Sequence, residues 1–385
     1  MSLSEVSGGS SSPESVALGE VLSFFGTVSD HAAGVAPEDG ERIAALAVGM
    51  AGLAALPQED CDTLFFAARL RNAGTLTNAG SPQLTDAVSD RERTIAQWDV
   101  PPQGARICER IAALPKSTAD IVRWQAECWD GTGYPDQLRW SGIPKTAQLL
   151  NIAATYVATP DPAEGLSTIC SGSGRAFAPE QTRTFVMWFH TFGGEIEPAE
   201  PPYHALQTGR TSPTELLELL SDLVDRHNGT HGRAQRIARR SEDIGRALGL
   251  EAEAVQNVSL ASLLFGIGEL RVNEVEASQF DALARLGIAA RSENAAQAAA
   301  LIERCAVLKD IGPIVRARSE WYDGTGAPAG LRHGAIPLAA RVLSLSIAYD
   351  AIDEVYSSRI TEERTTPLAR IETASGTQFD PDVVR

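Results

Sequence analysis

A chain of 385 residues with a formal net charge of −17 at pH 7 is long enough for two or three domains, and its charge repels phosphate backbones, which excludes a direct nucleic-acid partner. No apolar run approaches the roughly eighteen residues of a membrane span, and the start, MSLSEVSGGSSSPES, lacks a basic region followed by an apolar one. The expectation is a cytoplasmic protein with no membrane association and a flexible leader over residues 1–15.

The first domain is expected over 16–192. It carries the periodic apolar segments GERIAALAVGMAGLAALP and FFAARLRNAGTL, then WDGTGYP from Trp129 to Pro135, then SGIPKTAQLL, and closes on SGRAFAP from Ser173 to Pro179. The proline-rich stretch 193–213, GGEIEPAEPPYHALQTGRTSP, reads as a solvated linker. A second domain over 214–385 follows. Ser212 and Glu215 bracket a capping box with Pro213 at the first helical position, and LLELLSDLV continues as an amphipathic helix. Ala234, Ile237, Ala238, Ile244 and Leu248 fall at helical spacing, with Gly249 where a C-terminal cap would stand.

The phrases of the first domain return in the same order in the second. AQRIARRSEDIGRALGL answers the first segment, LASLLFGIGEL the second, YDGTGAP from Tyr322 to Pro328 the loop, HGAIPLAARVL its sequel and SGTQFDP the close. The two loop aspartates, Asp130 and Asp323, lie 193 residues apart, so the chain is a duplication. Alternation of period two is scarce and alanine is frequent in the periodic segments, so the fold class expected is all-α, two tandem bundles of about six or seven helices each.

The five cysteines, Cys61, Cys108, Cys128, Cys170 and Cys305, are scattered and form no CxxC pair, so neither a disulfide framework nor a thiolate zinc site is expected. In each loop the glycines, Gly131 and Gly133 or Gly324 and Gly326, are expected at positive φ, with Pro135 or Pro328 fixing the exit. Asp130 and Asp323 are expected to cap backbone N–H groups.

The loop, the Gly-Ile-Pro turn and the closing Ser-Gly-x-x-Phe-x-Pro phrase, all present twice, resemble the HD-GYP family of cyclic-di-GMP phosphodiesterases. That resemblance implies helical hydrolases holding two or three metal ions in a cage of histidines and aspartates, with a metal-bound hydroxide attacking phosphorus. The residues matching the cage are different here. Phe265-Gly266 stands at the second copy's His-Asp position, Arg318-Ser319 at its double histidine, Asn294 at the intervening histidine and Ile347 at the late aspartate. The first copy has Arg71-Asn72, Gln125-Ala126, Val100 and Ala154 at those positions and Pro37 near the first histidine; in the second copy His231 matches that first histidine. Phenylalanine and isoleucine have no donor atom and arginine repels a cation, so no metal, no cofactor and no catalytic residue is expected.

His31, His190, His204, His227, His231 and His333 form no pairs in sequence, and His231 is weighed as a polar residue at a helix start. Asn228-Gly229-Thr230 is weighed as a turn. Arg71 and Arg318 are weighed two ways: as phosphate binders facing the former metal cavity, with Asp130, Tyr134 and Asp323 as further ligand contacts, or as partners of Glu127, Glu320 or Asp350. Trp124, Trp129, Trp321 and Tyr322 are expected to close the core beneath the loops rather than stack on a base. Phe265 and Ile347 are expected to fill the second cavity, which would leave the first domain or an interdomain cleft to a ligand.

The reading is a catalytically inactive tandem protein, regulatory or interaction-mediating, whose partner is another protein or a second copy of itself. The alternative is a non-hydrolytic sensor of cyclic-di-GMP or another nucleotide. A remote third is a phosphodiesterase with atypical ligands, for which Asn72, Asn294, Asp350 and His231 would have to converge. An output domain beyond residue 385 is also allowed for.

Overall fold

Helix α1, Pro13–Ala32, starts where Ser12 accepts a hydrogen bond from the Ser15 amide and proline occupies the first turn, so this helix begins inside the stretch expected as leader. The computed structural model describes residues 11–77, 90–270, 284–358 and 366–385. The chain divides into two units, 1–216 and 217–385. In the first, α2 (Pro37–Leu53), α3 (Gln58–Leu70), α4 (Asp90–Arg110), α5 (Thr118–Trp124), α6 (Lys145–Val157), α7 (Pro162–Ser171) and α8 (Pro179–Phe192) follow α1. The described part of the second unit repeats the order with α9 (Pro213–His227), α10 (Arg233–Ala247), α11 (Ala252–Leu264), α12 (Ala284–Glu303), α13 (Gly312–Arg316), α14 (Leu338–Ser358), α15 (Pro367–Thr373) and α16 (Pro381–Val384).

Each unit is thus an all-α bundle. The described residues hold eight helices per unit rather than six or seven, because proline restarts the chain as a short helix after a turn, at Pro162, Pro367 and Pro381. In the first unit α2 packs on α3 and α6 and α1 on α3; in the second α10 packs on α11 and α14. Phe25, Leu46, Leu64, Phe66 and Phe185 are fully buried in one core, Leu220, Ile237, Val258, Leu264 and Val342 in the other. Ser212 and Glu215 cap each other, side chain to backbone amide, at 3.2 and 2.7 Å, and Gly249 ends α10 at φ +72°, both as expected.

Equivalent 3₁₀ turns, Ala73–Thr77 and Phe265–Glu269, follow α3 and α11. A Cβ on Gly74 would come within 2.0 Å of the Val100 carbonyl oxygen, and one on Gly268 within 1.9 Å of that of Asn294. The same helix therefore crosses the same glycine in both units, which fixes Val100 and Asn294 as equivalent positions.

The stretch expected as a free linker is partly built into the first unit. Glu195, Glu197 and Glu200 face solvent, but a 3₁₀ turn at Tyr203–Ala205 docks on α1 and α3. A Cβ on Gly19 would lie 2.0 Å from the Tyr203 ring, so glycine there makes the seat. Tyr203 donates to Glu20 at 3.2 Å, His204 meets Asp62 at 3.2 Å, and the Gln207 amide donates to the Ala113 carbonyl at 2.9 Å. Among the described residues no helix is long and apolar enough to cross a membrane.

Candidate functional site

The two loops have the same geometry. Asp130 Oδ1 accepts from the Thr132 amide at 3.0 Å and its hydroxyl at 2.6 Å; Asp323 does the same with Thr325 at 2.9 and 2.7 Å. These bonds hold both carboxylates below the usual range, the threonine hydroxyl first and its amide second. Behind each loop a buried glutamate laces it. Glu127 accepts from the Asp136 and Leu138 amides at 2.7 and 2.9 Å, Glu320 from Ala329 and Leu331 at 2.6 and 3.0 Å. The loop heads are then tied to the closing turns: Trp129 and Asp130 amides donate to Ala176 and Arg175 carbonyls at 3.1 and 2.9 Å, and Tyr322 and Asp323 to Gln378 and Thr377 at 3.2 and 2.9 Å. The loop and the Ser-Gly-x-x-Phe turn are one structural piece.

Three expectations about the loops are corrected. Only Gly131 and Gly324 have positive φ, +81° and +80°. Gly133 and Gly326 are required for room instead, since a Cβ would lie 2.1 Å from the Cys128 or Trp321 amide nitrogen. Pro135 and Pro328 do fix the exit, each after a cis peptide bond. Trp124, Trp129, Trp321 and Tyr322 are half-buried rather than core; Trp124 donates to Asp136 at 2.8 Å, and Tyr134 lies against Trp98 of α4 with ring centroids 5.9 Å apart. Finally, Glu127 and Glu320 serve the loop amides and are not the partners of Arg71 and Arg318.

Behind the first loop, the position expected to face a former metal cavity is closed. Asp30 of α1 is fully buried; its Oδ1 accepts from Asn72 at 2.7 Å and lies 3.5 Å from Arg71. Arg71 also reaches Asn72 at 3.3 Å, and Gln125 donates to the Arg71 carbonyl at 2.9 Å. Arg69 runs alongside, donating to the Ser23 carbonyl and the Thr27 hydroxyl. Gly40 makes room, because a Cβ there would come within 2.0 Å of Asp30 Oδ2 and 2.8 Å of Arg69 Nη1. Burial pushes the Asp30 pKa up, more than Arg71 and Arg69 pull it down. Burial also lowers that of Arg71.

The second unit fills the same place with a ring. Phe265 is 1% exposed, with the Arg233 and Arg318 guanidiniums 5.2 and 5.3 Å from its centroid. Ile347 is only half-buried, so of the two residues expected to fill this cavity Phe265 alone is in the core. His231 faces solvent and its carbonyl accepts from Arg236 at 2.9 Å; the side chain that reaches inward is Arg233, two residues on. Asn228 closes a turn by donating to the Gly266 carbonyl at 3.1 Å. Asp350 is 3% exposed and takes a two-pronged bond from Arg236 at 2.9 and 3.0 Å. Within the second unit His231 is at the surface and Asp350 is engaged by Arg236, so neither stands as the free donor that atypical catalysis would need.

The donor sets do not fit the metal cage that the resemblance implies. The first position offers one carboxylate, flanked by two guanidiniums; the second offers a phenyl ring between two more. Among the described residues no group of three or more histidines, cysteines, aspartates or glutamates could hold a metal ion. Asp30, Gly40, Arg69 and Arg233 were missed from sequence: Asp30 and Arg233 lie in no repeated phrase, and Gly40 and Arg69 lie in phrases read only for their helical periodicity, so the buried contacts alone single them out.

Comparison with known proteins agrees with the fold. A family model described as HD domain matches residues 28–171 and 218–383. A "3'3'-cGAMP-specific phosphodiesterase 3" of Vibrio cholerae is 23% identical over 295 residues, covering 73% of this chain and 64% of that protein. A "Cyclic di-GMP phosphodiesterase" of the same species is 37% identical over 98 residues, 23% of this chain and 19% of that protein. The chain thus spans less than two thirds of the length of these relatives. A crystal structure of cyclic GMP-AMP specific phosphodiesterases in V. cholerae superposes with a TM-score of 0.67 over 95% of both chains, at 18% identity, a likeness of fold.

Proposed function

The chain belongs to the HD domain family, and from that premise we propose that it is a non-hydrolysing member: a regulatory module of cyclic-dinucleotide signalling that keeps the bundle and the loop without the metal chemistry. The observation that carries the reading is the occupancy of both cage positions by other side chains. Asp30, Arg71 and Asn72 bond to one another in one unit, and Phe265 sits with Arg233 and Arg318 in the other. Opening either for a divalent cation would place it beside guanidiniums, at a cost no donor there offsets. What is retained is rigid: the aspartate and glutamate lacing of each loop, and its ties to the closing turn, preserve a surface rather than a reaction. Such a surface serves contact with a partner protein or with a second copy of the chain.

The test is incubation of the full chain with cyclic-di-GMP and, separately, 3'3'-cGAMP, with manganese or ferrous iron added, followed by chromatography of the nucleotide. The expected result is intact nucleotide at every protein concentration. Turnover proportional to protein and abolished by a chelator would sink the reading.

A further inference from the structure

Arg233, Arg236 and Arg240 follow one another at helical spacing on α10, so their side chains share one face. All three turn toward the same buried carboxylate, Asp350 of α14, with closest approaches of 4.0, 2.9 and 3.7 Å. Arg236 takes both of its oxygens, and the other two guanidiniums are left with long contacts. Arg233 reaches Glu269 at 3.5 Å, and its Nε is buried with no hydrogen-bond partner. Among the described residues, Arg240 has a single hydrogen bond, to the Ser346 carbonyl at 3.5 Å. The nearby Asp225 is no substitute, since it accepts from the Ala234 amide at 2.9 Å and from Thr230.

Both under-used cations are held on aromatic faces, Arg233 5.2 Å from the Phe265 centroid and Arg240 4.1 Å from that of Tyr349. A guanidinium seated on a ring keeps its in-plane donors directed sideways. Arg233 and Arg240 are 17% and 27% exposed and Arg236, between them, is 48% exposed, so the ridge reaches solvent at its middle. Well-fixed fork donors, partly desolvated and ending in bonds of 3.5 Å or longer, lack a strong acceptor. A tetrahedral oxyanion supplies one, because its oxygens bond two guanidiniums at once. The first unit has no such ridge: positions 39, 42 and 46 of α2 are Asp39, Arg42 and Leu46.

We infer that the face of α10 carrying Arg233, Arg236 and Arg240, with Phe265 and Tyr349 beneath it, is a binding site for a phosphoryl group. It takes a free phosphate or the phosphodiester of a cyclic dinucleotide, and rests on the reading above in that the bound group is left uncut. Arg233 and Arg240 hold the anion while Arg236 stays on Asp350.

The experiment is calorimetric titration of the full chain with inorganic phosphate, pyrophosphate, cyclic-di-GMP and 3'3'-cGAMP, with the nucleotides recovered and chromatographed. Saturable binding is expected for at least one probe. Arg233→Ala and Arg240→Ala should each weaken it by at least about tenfold, the loss of charge-assisted bonds, whereas Arg246→Ala on the same helix should leave it within about twofold, since Arg246 bonds Glu242 and Asp243 at the surface. Arg233→Lys and Arg240→Gln keep most of the stem, so a site that needs the fork is still tested if an alanine variant fails to fold. Binding of the inorganic ions alone identifies free phosphate as the ligand, and binding of a nucleotide alone identifies the cyclic phosphodiester. No binding of any probe, or binding unchanged in folded Arg233 and Arg240 variants, overturns the inference. Cleaved nucleotide would overturn the non-hydrolysing reading instead, while affinity across the variants still reports on the site.

Discussion

The two units carry one loop and two different interiors. Around the loop they agree bond for bond: an aspartate on the following threonine, a glutamate on two amides, and a tie to the closing turn. Behind it they part. The first unit neutralises its buried aspartate within the core, whereas the second spreads arginines along a helix face that reaches solvent. Duplication thus leaves the loop under common structural constraint while each interior is satisfied separately. The first settles into a closed ion network, and the second keeps donors free to act outward.

The sharpest way to break this comparison is to remove the buried carboxylate on each side. Asp30→Ala takes from buried Arg71 its carboxylate and should cost about 3–5 kcal/mol. Asp350→Ala should cost only roughly 1–2 kcal/mol, because half-exposed Arg236 can return to water. Tryptophan emission in a denaturant titration separates the two, since Trp98, Trp124, Trp129, Trp140 and Trp188 belong to the first unit and Trp321 to the second. Equal losses would mean that the interiors are alike.

Next comes Tyr203→Ala, which empties the seat on Gly19 and should cost the first unit about 2–4 kcal/mol. It should also expose 195–210 to limited proteolysis, read as faster cleavage there with no change in the second unit. A smaller effect is the pH dependence of the first unit. The folded Asp30 pKa is raised above its ordinary 3.8, so the folded state binds more protons than the unfolded one between the two values. Its contribution to stability is full below the unfolded pKa and is lost as pH rises through the folded one, with a slope of at most about 1.4 kcal/mol per pH unit. Asp30→Asn should flatten that slope between pH 4 and the raised value; a slope unchanged in the variant would assign it to another group. Smallest are Thr132→Val and Thr325→Val. Each removes one exposed hydroxyl bond to an aspartate and should lower stability least of all these changes, by the same amount in both units if the loops are as alike as their geometry.

How much of this could be read from residues alone follows the same division. The duplication, the all-α class and the aspartate caps were legible, because helical spacing, a repeated glycine-rich phrase and a short-range carboxylate bond are local properties. Gly133 and Gly326 were legible as required glycines but for the wrong reason, since an amide passing at 2.1 Å is invisible until the chain folds back. Arg71 was singled out from its position in the repeat, yet its partner Asp30 lies in another helix and belongs to no phrase. His231 was chosen for its chemistry at a matching position, while the bundle turned Arg233 inward instead. The linker showed proline and acid, and its one aromatic anchor, Tyr203, gave no periodic signal.

The ties between each loop and its closing turn bear on how the bundles come together. The Trp129 and Asp130 amides find acceptors only after α6 and α7 have been laid down, and those of Tyr322 and Asp323 only after α14 and α15. The loop is therefore a late closure joining segments far apart in the chain, and its entropic cost is met only once the intervening helices are in place. Substitutions at the turn, such as Gly376→Ala at φ +82°, should mainly speed unfolding and leave the folding rate nearly unchanged.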